Sequence, residues 1–175
     1  LLSDQPRTRS RVKTGVDELD RWAREYDVAR DTRLPAGPAR GEDLSSPAIR
    51  VDHQACILCD RCIRACNQLQ HNLVIGRTGK GYGTRIGFDL DDPMGTSSCV
   101  TCGECEKVCP TGALSLSITA RETTTGTVDS VCPYCGVGCA VTYHVHRSEN
   151  RIVRADGRDS PVNHQRLCVK GRFGF

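Results

Sequence analysis

Apolar positions along this 175-residue chain come in short alternating runs and never in long blocks. Val141-Thr142-Tyr143-His144-Val145-His146 alternates with period two, breaks at 147–150 and resumes as Ile152-Val153-Arg154, which predicts a β-hairpin. Ile49-Arg50-Val51-Asp52 predicts a short strand, and residues 113–118 predict another. Leu19, Trp22, Ala23 and Tyr26 recur at helical spacing within 17–30, a narrow stripe read as core packing. A second helix is expected over 63–71. The Pro-, Gly- and charge-rich stretch 31–47 and the polar stretch 119–126 read as linkers. Gly76, Gly79, Gly81 and Gly83 invite a phosphate-loop reading, but no G-K-[ST] and no helix follow, so 72–98 reads as a hairpin insertion.

Composition changes this picture. Only 5% of residues are aromatic, too few for one deep core, and small scaffolds in that position depend on staples. Twelve cysteines supply them. No run of 18 apolar residues and no basic-then-apolar leader is present, so the reading has no membrane span and no signal peptide. The chain opens on Leu1-Leu2-Ser3 without Met and reads as part of something longer.

All the cysteines lie between Cys56 and Cys168. Cys56, Cys59, Cys62 and Cys66 form a C-x-x-C-x-x-C-x-x-x-C run, and Cys99, Cys102, Cys105 and Cys109 repeat it 43 residues later, followed by Pro110. Three thiolates at this spacing on a tight loop wrap one face of a 4Fe–4S cubane, and the fourth, on the departing helix, serves the other cluster. The expected sets are therefore Cys56, Cys59, Cys62 and Cys109 for one cluster, and Cys99, Cys102, Cys105 and Cys66 for the second. A disulfide framework predicts no such exact repeat. Zinc knuckles use paired C-x-x-C with a long gap instead of three cysteines in register.

The third group is Cys132, Cys135 and Cys139, with Cys168 after a further 28 residues. Four such thiolates suit zinc or a cluster, and the two ferredoxin-like runs beside them favour a third 4Fe–4S cluster. Gly136 and Gly138 allow backbone N–H groups close to its sulfurs. The predicted hairpin should bring Cys168 back to this loop. His144 and His146 share a strand face, but with three complete thiolate sets a histidine metal pair is disfavoured. His53 and His71 read as surface or hydrogen-bonding residues.

The formal charge of +3 counts every thiol as neutral. Three clusters at roughly −2 each would bring the chain to about −3. With its charges also interspersed, the chain is not read as a nucleic-acid binder.

Residues 48–175 resemble the amino-terminal iron–sulfur part of the catalytic subunit of molybdenum- or tungsten-dependent formate dehydrogenases of the NAD-linked kind. The resemblance lies in Cys56–Cys66, in Ser98-Cys99 to Cys109-Pro110-Thr111-Gly112-Ala113-Leu114, and in Cys132–Cys139 with Cys168-Val169-Lys170-Gly171-Arg172-Phe173. It implies an α+β protein: a helical segment and linker over 1–47, a two-cluster ferredoxin-like domain over 48–120, and a small β-rich 4Fe–4S domain over 127–175. It also implies that Lys170 is the cofactor contact between the third cluster and a molybdenum or tungsten bis-pterin guanine dinucleotide, held by a domain beyond Phe175 along with the catalytic residues.

Residues 1–30 resemble the family's His–Cys₃ cluster segment, also found in the large subunit of respiratory complex I. Its ligand positions align with Gln5, Arg9, Val12 and Asp17, none of which is a thiol, so that cluster is expected to be missing while Trp22 and Tyr26 keep a small helical core. The resemblance implies an electron relay from formate through three clusters to a flavin- and iron–sulfur-bearing, NADH-dehydrogenase-like partner, in a cytoplasmic hetero-oligomer. The competing readings are a complex I large subunit, an iron-only hydrogenase, which lacks the Cys132-to-Cys168 pattern, and a stand-alone ferredoxin-like module.

Overall fold

The computed structural model describes residues 18–28, 37–117 and 124–175. It mixes short helices with small antiparallel sheets, an α+β architecture. The chain divides into two compact units, Leu1–Cys99 with Cys105–Ala120, and Val100–Glu104 with Arg121–Phe175. The expected ligand positions Gln5, Arg9, Val12 and Asp17 lie outside the described residues.

In the first unit, β2 (Ile49–Asp52) forms as the alternation predicts and buries Ile49 and Val51. It pairs antiparallel with β5 (Leu114–Leu116), Ile49 opposite Leu116 and Val51 opposite Leu114. A short strand, β1 (Glu42–Asp43), pairs on the other side of β2. This corrects the linker reading of 31–47: polar residues at a sheet edge meet water on one side, so no apolar alternation announces them. The 72–98 segment forms the expected hairpin, β3 (Ile75–Thr78) against β4 (Arg85–Phe88). Ile75, Ile86, Phe88 and Met94 are buried in this unit.

The helix expected over 63–71 takes a different form. A single turn, α2 (Arg61–Arg64), runs into a π-helical turn, Ala65–Leu69, closed by the Gln70 N–H on the Ala65 carbonyl (3.2 Å). A π turn re-aims the side chains it carries, and Cys66 is among them.

Helix α1 (Glu18–Glu25) buries no residue. Trp22 is 41% and Tyr26 70% exposed, which overturns the expectation that they form a small core. They stand four residues apart, about one helical turn, and stack on each other (centroids 5.9 Å, 25°) with the Arg21 guanidinium 5.0 Å from the indole ring. The helix is tied down by its polar end instead. The Glu18 N–H donates to the Pro110 carbonyl (3.0 Å), and Arg61 donates to both Glu18 carboxylate oxygens (2.6 and 3.2 Å), holding that carboxyl below its usual pKa.

The second unit is a three-stranded sheet, β6 (Gly126–Val131), β7 (Ala140–His146) and β8 (Arg151–Gly157), in that order. The β7–β8 hairpin follows the predicted alternation, with an irregularity at His144/Val145. Strand β6 was not legible as one, because it lies at an edge and buries none of its residues. Val141, Ala155 and Leu167 form the small core, with Tyr143 and Cys139 packed against it. The chain ends in α4 (Val169–Phe173), one residue past Cys168.

Candidate metal centres

The first cysteine loop enters through the Asp52 carboxylate, which accepts the N–H groups of Gln54 (2.9 Å) and Ala55 (3.3 Å), and through the Cys56 N–H on the His53 carbonyl (3.2 Å). His53 itself is buried and its carbonyl accepts the Cys56 N–H, so of its surface and hydrogen-bonding readings the surface one falls; burial lowers its pKa. Leu58 and Asp60, on either side of Cys59, are both left-handed (φ 55° and 60°). Left-handed residues alternating with ordinary ones turn successive backbone N–H groups toward one concave face suited to an anion, and the Leu58 N–H meets the Cys56 sulfur at 3.4 Å. The second run repeats the device: Thr101 and Gly103 flank Cys102 at φ 54° and 80°. The 43-residue sequence repeat is thus also a backbone repeat.

Cys56, Cys59 and Cys62 line one cavity with Cys109, which the chain supplies from the end of α3 (Glu104–Val108). Ile57, Ile86, Pro110, Ala113 and Leu114 wall it with apolar groups. Burial, followed by the neighbouring thiols Cys56 and Cys109, pushes the Cys62 thiol up to about 12, and burial raises Cys56 as well. The thiols surround a space and do not converge on a point. Among the described residues no three His, Cys, Asp or Glu side chains stand close enough to hold a single ion. An enclosed cavity with four thiols and apolar walls fits a multi-atom cluster by its donor chemistry.

Of the second expected set, Cys66 and Cys105 are buried and Cys99 and Cys102 half-buried. The segment before Cys99 is anchored by Asp89, whose carboxylate accepts the Ser98 N–H (2.6 Å) and hydroxyl (2.7 Å), which lowers the Asp89 pKa.

In the second unit, Cys132, Cys135 and Cys168 all act on Cys139 electrostatically. Burial first, then the charges of Cys132, Cys135 and Cys168, raise the Cys139 thiol. Cys132 and Cys139 are joined by a backbone bond (2.9 Å), and Gly138 is left-handed at φ 74°. Cys168 is brought back by a segment built on Asn163. Its buried side-chain oxygen accepts the Ala140 N–H (2.9 Å) and the Ser160 hydroxyl (2.7 Å), and its Nδ2 donates to the carbonyls of Ala140 (3.1 Å) and Arg166 (2.9 Å). Lys170 is exposed in the first turn of α4. His144 and His146 have separate partners: His144 Nε2 meets Asp156 at 2.9 Å, whereas His146 Nδ1 lies 3.7 Å from Glu149.

Reasoning from the cysteines alone missed the residues that hold the loops. Arg40 donates to the carbonyls of Gln54 (3.2 Å) and Cys56 (3.0 Å). Arg77, on β3, donates to the Leu58 carbonyl (2.9 Å) and forks onto Asp60 (2.8 Å twice). Arg172, on α4, does the same in the second run, donating to the Cys102 carbonyl (2.9 Å) and to Glu104 (2.7 Å). No spacing rule flags an arginine that acts from a distant element. The hint in the sequence was Gly103, which stands where the first run has Asp60.

Residues 55–113 match the 4Fe-4S dicluster domain and residues 125–175 the molybdopterin oxidoreductase Fe4S4 domain. An NADH-quinone oxidoreductase subunit of Rhizobium meliloti (strain 1021) is 38% identical over 134 residues, 74% of this chain and 15% of that protein. The NADPH-Fe(3+) oxidoreductase subunit alpha of Geobacter sulfurreducens (strain DL-1 / KN400) is 33% identical over 132 residues, with the same coverage. The "Putative formate dehydrogenase SAB2186c" of Staphylococcus aureus (strain bovine RF122 / ET3-1) is 29% identical over 199 residues, 90% of this chain and 20% of that protein. The chain thus spans 15–20% of the length of these relatives. A chain in the crystal structure of an NAD+-reducing [NiFe]-hydrogenase shares the fold over 69% of this chain and 52% of its own, with a TM-score of 0.59 and 22% identity. With a dicluster domain followed by the Fe4S4 domain, this chain belongs to the iron–sulfur region of the molybdopterin oxidoreductase family.

Proposed function

We propose that this chain is the electron relay of a formate-oxidising molybdopterin oxidoreductase, holding three 4Fe–4S clusters on the sets Cys56/Cys59/Cys62/Cys109, Cys99/Cys102/Cys105/Cys66 and Cys132/Cys135/Cys139/Cys168. The observation that carries the reading is the first cavity, where three cysteines of one run meet the last cysteine of the other. A bound 4Fe–4S cluster supplies reversible one-electron transfer at a potential set by charge, burial and hydrogen bonds to sulfur.

This chain's residues supply the rest. Apolar walls at Ile86, Ala113 and Leu114 keep water from the first site and lower its dielectric. Left-handed turns at Leu58/Asp60 and Thr101/Gly103 aim backbone donors inward. Lys170, two residues past Cys168, is the contact toward a molybdenum or tungsten bis-pterin in a following domain. Formate as electron source rests on the Staphylococcus aureus relative and on the motif resemblance. A nicotinamide-linked partner subunit is the acceptor that the names of the other relatives favour, and the motif resemblance adds its flavin. Among the described residues no helix is long and apolar enough to cross a membrane.

The test is iron content and turnover in the full-length protein. About twelve iron per chain, with formate-dependent acceptor reduction that falls sharply in Lys170→Ala at unchanged iron, is the expected result. Eight iron and one zinc would show that the Cys132 set is a zinc site and defeat the relay. The 38% identity to an NADH-quinone oxidoreductase subunit favours a second reading, a complex I-type relay without its own substrate. Twelve iron with NADH-dependent but no formate-dependent reduction would select it.

A further inference from the structure

Arg172 is 1% exposed and its partner Glu104 3%. A buried guanidinium is retained only where its charge and its donors are answered. Nε donates to the Cys102 carbonyl and Nη2 to Glu104. Nη1 is also buried, and no protein atom accepts its hydrogen bond. A charged donor left in that state in a dry interior calls for an acceptor that is not part of the polypeptide. The surroundings are built around this side chain. Gly103 sits at φ 80°, and a Cβ there would collide with the Arg172 side chain, so the loop beside Cys102 closes directly over the guanidinium. Arg77 holds the first run by a carbonyl and a carboxylate one position earlier in the repeat, the Leu58 carbonyl and Asp60, but from an exposed position (48%), where its charge is screened.

We propose that Arg172 is a positioning residue for the cluster bound through Cys102: it fixes the Cys102 backbone and offers Nη1 as a hydrogen-bond donor to that cluster's sulfur. This rests on the cluster assignment proposed above. The acceptor must take a hydrogen bond from a cation, must lie beside the Cys102 loop that the guanidinium touches, and must be absent from the chain itself; a thiolate-bound cluster meets all three conditions. A donor and positive charge at this place favour the reduced cluster, so Arg172 raises its potential, while Glu104 offsets part of the effect.

The test is an anaerobic redox titration of the full chain followed by electron paramagnetic resonance. The signal of the Cys102 cluster is identified by its loss or change in Cys99→Ala. Arg172→Gln should lower that cluster's potential by at least a tenfold change in its reduction equilibrium, about 59 mV for one electron. Glu104→Gln should raise it. Arg172→Lys should fall between Arg172→Gln and the parent, because an ammonium keeps the charge but lacks the fork. If Arg172→Gln loses iron, the opposite signs of Arg172→Lys and Glu104→Gln carry the test. Shifts of the same sign in both, shifts below threefold at full iron, or a shift confined to the Cys132 cluster would overturn the proposal. Fewer than twelve iron in the parent chain would instead overturn the three-cluster reading.

Discussion

Replacing Asn163 with Ala tests whether the third ligand set is held together by the protein or by its metal. Asn163 is buried and joins the start of β7 to the segment that returns Cys168. The substitution leaves the Ala140 N–H without its acceptor, and an orphaned buried donor costs about 1–3 kcal/mol. It also removes the Nδ2 bonds to the Ala140 and Arg166 carbonyls and the acceptor of the Ser160 hydroxyl, each a net of about 0.5–1.5 kcal/mol. The Ala140 carbonyl keeps the Arg158 N–H, so its loss is partial. About 3 kcal/mol of local stability is a fair total, which corresponds to roughly a 100-fold larger open population.

The assay is native-state hydrogen exchange on the cluster-loaded, anaerobic protein, read at the amides of Arg158 and Arg166, which bond to the Ala140 and Asn163 carbonyls. Both should exchange about 100-fold faster, while amides of β2 stay unchanged. Asn163→Asp should cost at least as much, since it keeps an acceptor but sets a buried carboxylate against two carbonyls. Acceleration below about threefold at full iron would refute the reasoning and show that Cys168 ligation alone holds the segment.

In iron-free protein, alkylation at pH 8 should reach the exposed Cys135 and Cys168 well before Cys62: raising that thiol from 9.0 to about 12 cuts its thiolate fraction about 1,000-fold, and equal rates would show that the first cavity opens without iron. Because the Cys62 pKa is raised, its labelling should keep climbing about tenfold per pH unit up to about 12, beyond the range in which ordinary thiols level off. Gly103→Ala should cost about 1–2 kcal/mol for the left-handed backbone alone, with a further loss from collision with Arg172, read as a lower thermal midpoint of the loaded protein; an unchanged midpoint would mean that the loop is not closed over the guanidinium. Leu114→Ala, at the junction of the β2–β5 pair and the first cavity, should destabilise by about 2–5 kcal/mol in urea, and a loss under 1 kcal/mol would mean that the wall collapses to fill the space.

Cysteine spacing is a local property, and so was the chemistry it announced. Three thiols two residues apart need only a tight loop to face one object, and the chain builds that loop twice with the same pair of left-handed residues. The β2 strand and the β7–β8 hairpin were legible for the same reason: alternation with period two reports a half-buried strand wherever one face meets a core, whereas the 72–98 hairpin was read from a glycine-rich stretch that fails the phosphate-loop motif. Strands β1 and β6 lie at sheet edges, bury little and left no such pattern. The stripe at Leu19, Trp22, Ala23 and Tyr26 carried helical period but no information about what would cover it, and two of its residues cover each other. Only the tertiary structure decided which charges serve the loops. Arg172 acts on a carbonyl 70 residues earlier, and Asn163 on a strand 23 residues earlier. Such partners depend on which elements the fold brings side by side, and a single donor aimed at a backbone carbonyl leaves no periodic trace in the chain that carries it.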